Sequence, residues 1–226
     1  MFSDLFYQLI EENIFLIGIF ETLYMTIISS IIAYIIGLPL GIILTITDEN
    51  GLTPNKWINR PLSIIINFFR SIPFVVLMVA MLPISKFIIG TSLGNGAMII
   101  MLIIAAVPYI ARVVETSLKE VDSGVIEAAR SMGANDFEII VKVLLKESMP
   151  SLILGATLAT ISILGYSAMA STIGGTGLGQ IAIIYGHQRS NSDITWLCVI
   201  LITIIVISIQ EIGNLVVKRV DKRKKI

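Results

Sequence analysis

Residues 127–150 read EAARSMGANDFEIIVKVLLKESMP. The stretch carries charges at helical spacing, yet both of its neighbours are almost free of charge. Residues 95–111 read NGAMIIMLIIAAVPYIA, and residues 151–170 read SLILGATLATISILGYSAMA. A spanning helix needs roughly 20 mostly apolar residues. A polar island between two such runs is the pattern of a loop that joins two membrane helices. The composition agrees: of 226 residues, 55% are hydrophobic and 14% charged, whereas soluble domains carry about 25% charged residues.

Working outward from that island, five apolar stretches qualify as spans. Residues 14–47 are interrupted only by Glu21. At ~1.5 Å per residue one helix would reach ~50 Å, too long for an upright span. The predicted first span is therefore 20–46, with 2–17 as an interfacial approach. The others are predicted at 61–84, 95–114, 151–172 and 194–217. No Lys or Arg precedes the first apolar stretch, so the start is not the basic region of a cleaved signal peptide. The single domain 1–226 shows no linker.

Five spans put the two ends on opposite sides. The tail VKRVDKRKKI holds Lys218, Arg219, Lys222, Arg223, Lys224 and Lys225. Basic loops face the cytoplasm, so the C-terminus is predicted inside and the N-terminus outside. Lys56 and Arg60 then fall inside, as does the largest loop, 112–150, with Arg112, Lys119, Arg130, Lys142 and Lys146. The formal net charge is zero, with no basic signature for nucleic acid.

Within that loop, 124–132 reads as a short helix. Val125, Ala128, Ala129 and Met132 recur at helical spacing, and Gly133 follows as a left-handed stop. Asn135 and Glu138 have capping-box spacing. A second helix follows, with Phe137, Ile140, Val141, Leu144 and Leu145 on one face and a Glu138–Lys142 pair. Pro150 suits the opening of the fourth span. A helix of about nine residues is marginal alone, so it lies either on its own protein or on a partner.

Glu127-Ala128-Ala129, then Gly133, then the amphipathic stretch ending at Pro150 resembles the EAA motif of ABC importer permeases. Lys146 departs from it, since many members have Pro there; the helix is expected to run on smoothly. Arg70-Ser71-Ile72-Pro73-Phe74 and Glu21-Thr22-Leu23-Tyr24-Met25-Thr26 resemble segments of the methionine-type permeases. So does Gly165-Tyr166-Ser167-Ala168-Met169-Ala170 followed by the glycine run 174–179. The resemblance implies an all-α type I ABC importer permease of the bacterial cytoplasmic (inner) membrane, working as a homodimer amid lipid. It implies two cytoplasmic ATPase subunits that bind the ATP, and an extracytoplasmic binding protein or lipoprotein that delivers methionine. Glu127, Ala128, Ala129, Arg130 and Gly133 are then the ATPase-coupling residues. The chain itself would hold no cofactor and perform no catalysis.

Span four bears many hydroxyls, which either bond neighbouring helices or line a path for a polar solute. Thr157, Thr160, Tyr166, Ser167 and Met169 are the candidate lining residues. The glycine run lacks the G-K-[ST] ending of a phosphate loop and is predicted as a flexible re-entrant or external turn. Glu21 reads as a surface carboxylate. Arg70 falls inside a predicted span, where charge is costly; it either snorkels or faces protein or water. Pro73 is positioned to kink that helix. The lone His187 has no metal-ligand spacing around it, and Cys198 no partner for a disulfide. The alternatives are an ABC permease for another amino acid or small polar solute, a secondary transporter, or a membrane scaffold holding a cytosolic enzyme. A carrier would place carboxylates or inverted repeats at mid-membrane, and a scaffold would need no hydroxyl-rich span.

Overall fold

The structure, a computed structural model, describes Leu9 and residues 11–221. Half of the approach expected over 2–17, and the tail residues 222–226, lie outside the described residues. Everything regular within them is helical. Four helices are long and apolar enough to cross a membrane, or five when a bent pair is taken as one span.

Helix α1 is continuous from Ile14 to Thr47. The long helix starts after a turn at 12–13, with Asn13 at φ 56°, rather than at the expected 20. Neither Gly18 nor Glu21 interrupts the helix, and Pro39 is accommodated inside it. One face of α1 is a stripe of small and polar residues: Gly18, Thr22, Ser29, Ala33, Gly37 and Gly41 are buried. This stripe lets α1 lie close against α4 (Asn95–Lys119). A Cβ on Gly41 would come within 2.6 Å of the Ala111 carbonyl oxygen. Small residues at such spacing are the usual means of close helix contact in lipid, where van der Waals packing replaces the hydrophobic drive. Met25, Met98, Met101, Leu102, Ile110 and Ile163 fill the core between α1, α4 and α8 (Met149–Ala170). The Tyr34 hydroxyl donates to the Leu152 carbonyl at 2.9 Å and ties α1 to α8.

The stretch predicted as one span over 61–84 is two helices, α2 (Lys56–Ser71) and α3 (Phe74–Ile89), bent by 110°. Pro73 is the physical reason. It has no amide to donate, and it forces the preceding residue out of the helical region; Ile72 is extended at φ −83°, ψ 127°. No backbone hydrogen bond crosses the bend among the described residues.

The cytoplasmic segment forms α5 (Ser123–Ser131), α6 (Asp136–Glu138), a π-helical turn (Ile139–Leu144) and α7 (Leu145–Glu147). Helical structure thus passes through Lys146, as expected, but not smoothly: the turn before it is widened. Pro150 sits in the first turn of α8, where its missing amide costs nothing. After a 3₁₀ turn (Ser171–Ile173), the glycine run leads into α9 (Leu178–Ile181) and a second π-helical turn (Ala182–His187). The final helix, α10 (Ser192–Val220), packs on α8.

The glycine run is a built turn rather than a loose one. Gly174 and Gly177 adopt φ of 108° and 97°. The Gly94 amide donates to the Gly174 carbonyl, and the Leu178 amide to the Thr22 hydroxyl. Thr176 donates to Asn95, which donates to Glu21. Glu21 is half-buried and joins α1 to this network, so it is not a plain surface carboxylate.

Candidate functional site

Helix α5 is closed at both ends by local chemistry. The Asp122 carboxylate accepts from the Gly124 amide at 2.6 Å, filling one of the orphan donors of the first turn. At the other end Ala134 donates to the Ala129 carbonyl and Gly133 to the Arg130 carbonyl, at 3.1 and 3.0 Å. Those two bonds, with Gly133 at φ 88°, make a Schellman cap. The next helix opens with the expected capping box of Asn135 and Glu138, and Lys142 bonds Glu138 at 2.7 Å. Both the Lys142 bond and the Asn135 amide favour the charged form, holding the Glu138 carboxyl below its ordinary value.

The stripe read from the sequence divides in space. Ala129 is buried, and Ile126 packs beside it against the core. Val125, Ala128 and Met132 point away from the protein, and Met132 is 82% exposed. Phe137 and Val141 extend this uncovered apolar face. Glu127 and Arg130 are exposed beside it. They border a cleft of ≈ 540 Å³ between α5 and the cytoplasmic end of α1. Arg130 reaches across the Gly133 turn to pair with Asp136 at 3.2 Å. The five residues 127–130 and 133 therefore do form one local structure.

Behind it lies a charged cluster that the sequence reading passed over. Glu115 is buried and pairs with Arg112 at 2.5 Å and Lys119 at 2.9 Å. Lys119 also meets Asp48, at the end of α1. Arg112 reaches Ser63 and Asn67 on α2. The Lys119 hydrogen bond holds the Asp48 carboxyl below its ordinary value. The signal was present in the spacing, since Arg112, Glu115 and Lys119 stand at i, i+3 and i+7, but the basic residues had served only as markers of sidedness.

The five candidate lining residues do not share one environment. Met169 is exposed, on a stripe of α8 with Leu154, Leu158 and Gly165. Tyr166 is half-buried and stacks on Phe74 of α3, ring centroids 4.4 Å apart. Thr160 is half-buried; Thr157 and Ser167 are buried. Thr157 faces Gly213 of α10, where a Cβ would lie 2.2 Å from its hydroxyl. All three hydroxyls donate to carbonyls of their own helix, as hydroxyls in apolar helices commonly do.

A family profile described as "Binding-protein-dependent transport system inner membrane component" matches residues 37–226. The probable D-methionine transport system permease protein MetI of Vibrio cholerae is 43% identical over 95% of both chains. The methionine import system permease protein MetP of Bacillus subtilis is 47% identical over 90% of this chain and 92% of that one. A solved structure of the MetNI methionine ABC transporter in an inward-facing conformation has a TM-score of 0.91 at 40% identity, covering 97% of this chain and 100% of that one. An amino acid ABC transporter crystallised with histidines shares the fold, at TM-score 0.79 and 20% identity. A profile that runs from the middle of α1 to the last residue, with relatives matched over nearly their whole length, leaves no part of the architecture unaccounted for: the chain belongs to the family of binding-protein-dependent transport system inner membrane components.

Proposed function

We propose that this chain is the permease subunit of an ATP-driven methionine importer, and that it passes methionine and close analogues across the membrane. The observation that carries the reading is α5: a nine-residue helix, capped at both ends, whose Val125, Ala128 and Met132 face is left uncovered on the side where the basic residues collect. A separate ATPase subunit covers that face and binds the ATP. Glu127 and Arg130 give the contact direction, and Gly133 ends the helix where the partner must fit. The substrate assignment draws its support from relatives named for D-methionine and methionine import.

The permease works as a pair. The exposed stripe of α8, with Met169 and Gly165, lines the path between the two copies. A two-fold axis through that path is the common closed arrangement for such assemblies. ATP binding closes the ATPase pair, α5 moves with it, and the halves rock between outward and inward access. ATP supplies the difference in free energy between the two states that any such switch requires.

The test is uptake of labelled methionine by proteoliposomes that hold the chain, its ATPase and its binding protein. ATP-dependent accumulation, competed by unlabelled methionine, is the expected result. Stimulated ATP hydrolysis without methionine uptake would keep the importer and discard the substrate. Glu127→Lys reverses the charge beside the docking face, and it is expected to separate ATP hydrolysis from uptake. Normal uptake by that variant would sink the role of Glu127.

A further inference from the structure

The α2–α3 bend leaves a cation unused by the fold. Arg70 stands in the last turn of α2 and is exposed. Among the described residues it has no ion pair or hydrogen bond. Arg112, by contrast, is committed to Glu115, Ser63 and Asn67.

Two cavities meet at Arg70. One, of ≈ 160 Å³, is walled by Phe69, Phe74, Leu77, Tyr109 and Tyr166. The other, of ≈ 350 Å³, runs past Leu158 and Leu154 of the exposed α8 stripe to Thr116, Glu120 and Ser151 at the cytoplasmic helix ends. Arg70 is the residue common to the walls of both.

The chemistry of the small cavity is specific. A guanidinium matches a carboxylate in a two-bond fork. Aromatic walls suit an apolar side chain, and a thioether in particular gains from sulfur–ring contact. Tyr166 is stacked on Phe74, and the ring of Tyr109 is of a kind that attracts a cation. One cation beside an aromatic wall is the complement of an amino acid's carboxylate and apolar side chain.

We propose that Arg70, with the cavity walled by Phe74, Tyr109 and Tyr166, is a way-station for the transported amino acid, Arg70 holding its carboxylate and the rings its side chain. The proposal rests on the methionine-import reading and adds to it the place where the permease touches the solute. The site must hold weakly, since a transport site has to release what it binds.

The experiment uses the assembled complex in proteoliposomes with a photoreactive diazirine analogue of methionine. Label is expected on peptides that contain Phe74 or Tyr166. Unlabelled methionine displaces it; 3-methylthiopropylamine, which lacks the carboxylate, does not. Arg70→Gln lowers uptake at low substrate about tenfold or more, the scale of losing a charge-assisted hydrogen-bonded pair, and Arg70→Lys recovers part of it. Wild-type uptake by Arg70→Gln, or label confined to other segments, overturns the site while methionine import stands. A wild-type complex that accumulates no methionine overturns the substrate reading and this site together.

Discussion

Gly133 holds φ at 88° with open space around it. The constraint there is one of backbone rather than of room. An L side chain in that region costs ~1–2 kcal/mol, which is enough to undo a Schellman cap on a helix of nine residues. Gly133→Leu is therefore expected to leave the spanning helices folded and to reduce several-fold the ATPase retained on affinity-purified permease. Undiminished retention would show that the cap is not needed for docking. Gly133, Asn135 and Glu138 could be assigned from sequence because caps are chemistry within five residues of chain. Glu115 could not be assigned so directly. It shares Lys119 with Asp48, a residue 67 positions upstream of it in the chain, and although the end of α1 was legible near 46, no local pattern states that it lies against α4. The hydroxyls of α8 were legible as residues but not as directions, since a helix turns each one to a different neighbour.

The bent pair α2–α3 shows the same limit in larger units. Hydropathy is continuous across 61–84, and Pro73 signals a break without giving its angle. A further clue lay in the α2 pattern: Asn59, Ser63, Asn67 and Arg70 recur at helical spacing, a polar stripe that an isolated span would not carry. Asn59 bonds the Leu44 carbonyl, and Ser63 and Asn67 receive Arg112, so the stripe is what holds α2 against its neighbours. If Pro73 sets the bend, Pro73→Ala restores a donor for the Phe69 carbonyl and lets the two helices approach one line. Spin labels at Trp57 and Phe87, both 91% exposed, are expected to move apart in that variant. An unchanged distance would assign the bend to the surrounding helices instead.

Across the whole molecule, the number and order of long helices followed from apolar runs and sidedness, while their mutual contacts followed from small residues at close spacing. The ion cluster of Asp48, Lys119, Glu115 and Arg112 is where α1, α2 and α4 meet at the cytoplasmic end. Its outermost pair is partly exposed, so it contributes only about 0.5 kcal/mol. The Asp48 carboxyl lies below its ordinary 3.8 in the folded protein. A carboxyl depressed on folding adds stability above its unfolded value and loses it as pH falls through the folded one. Asp48→Asn is thus expected to lower the thermal midpoint of the purified complex by a constant amount from pH 7 to about 4. The gap from wild type should close in stronger acid. A gap that widened on acidification would contradict the pairing.

That same cluster has a mechanical meaning. The short link 120–122 joins α5 to α4, and α4 is fastened to the end of α1 by Lys119 and Asp48 and to α2 by the bonds from Arg112 to Ser63 and Asn67. Under the proposed coupling, a displacement of α5 is therefore shared among three helices rather than taken by α4 alone. Arg70 stands on α2 beyond the last of these bonds, at Asn67, in the part of that helix the cluster does not hold.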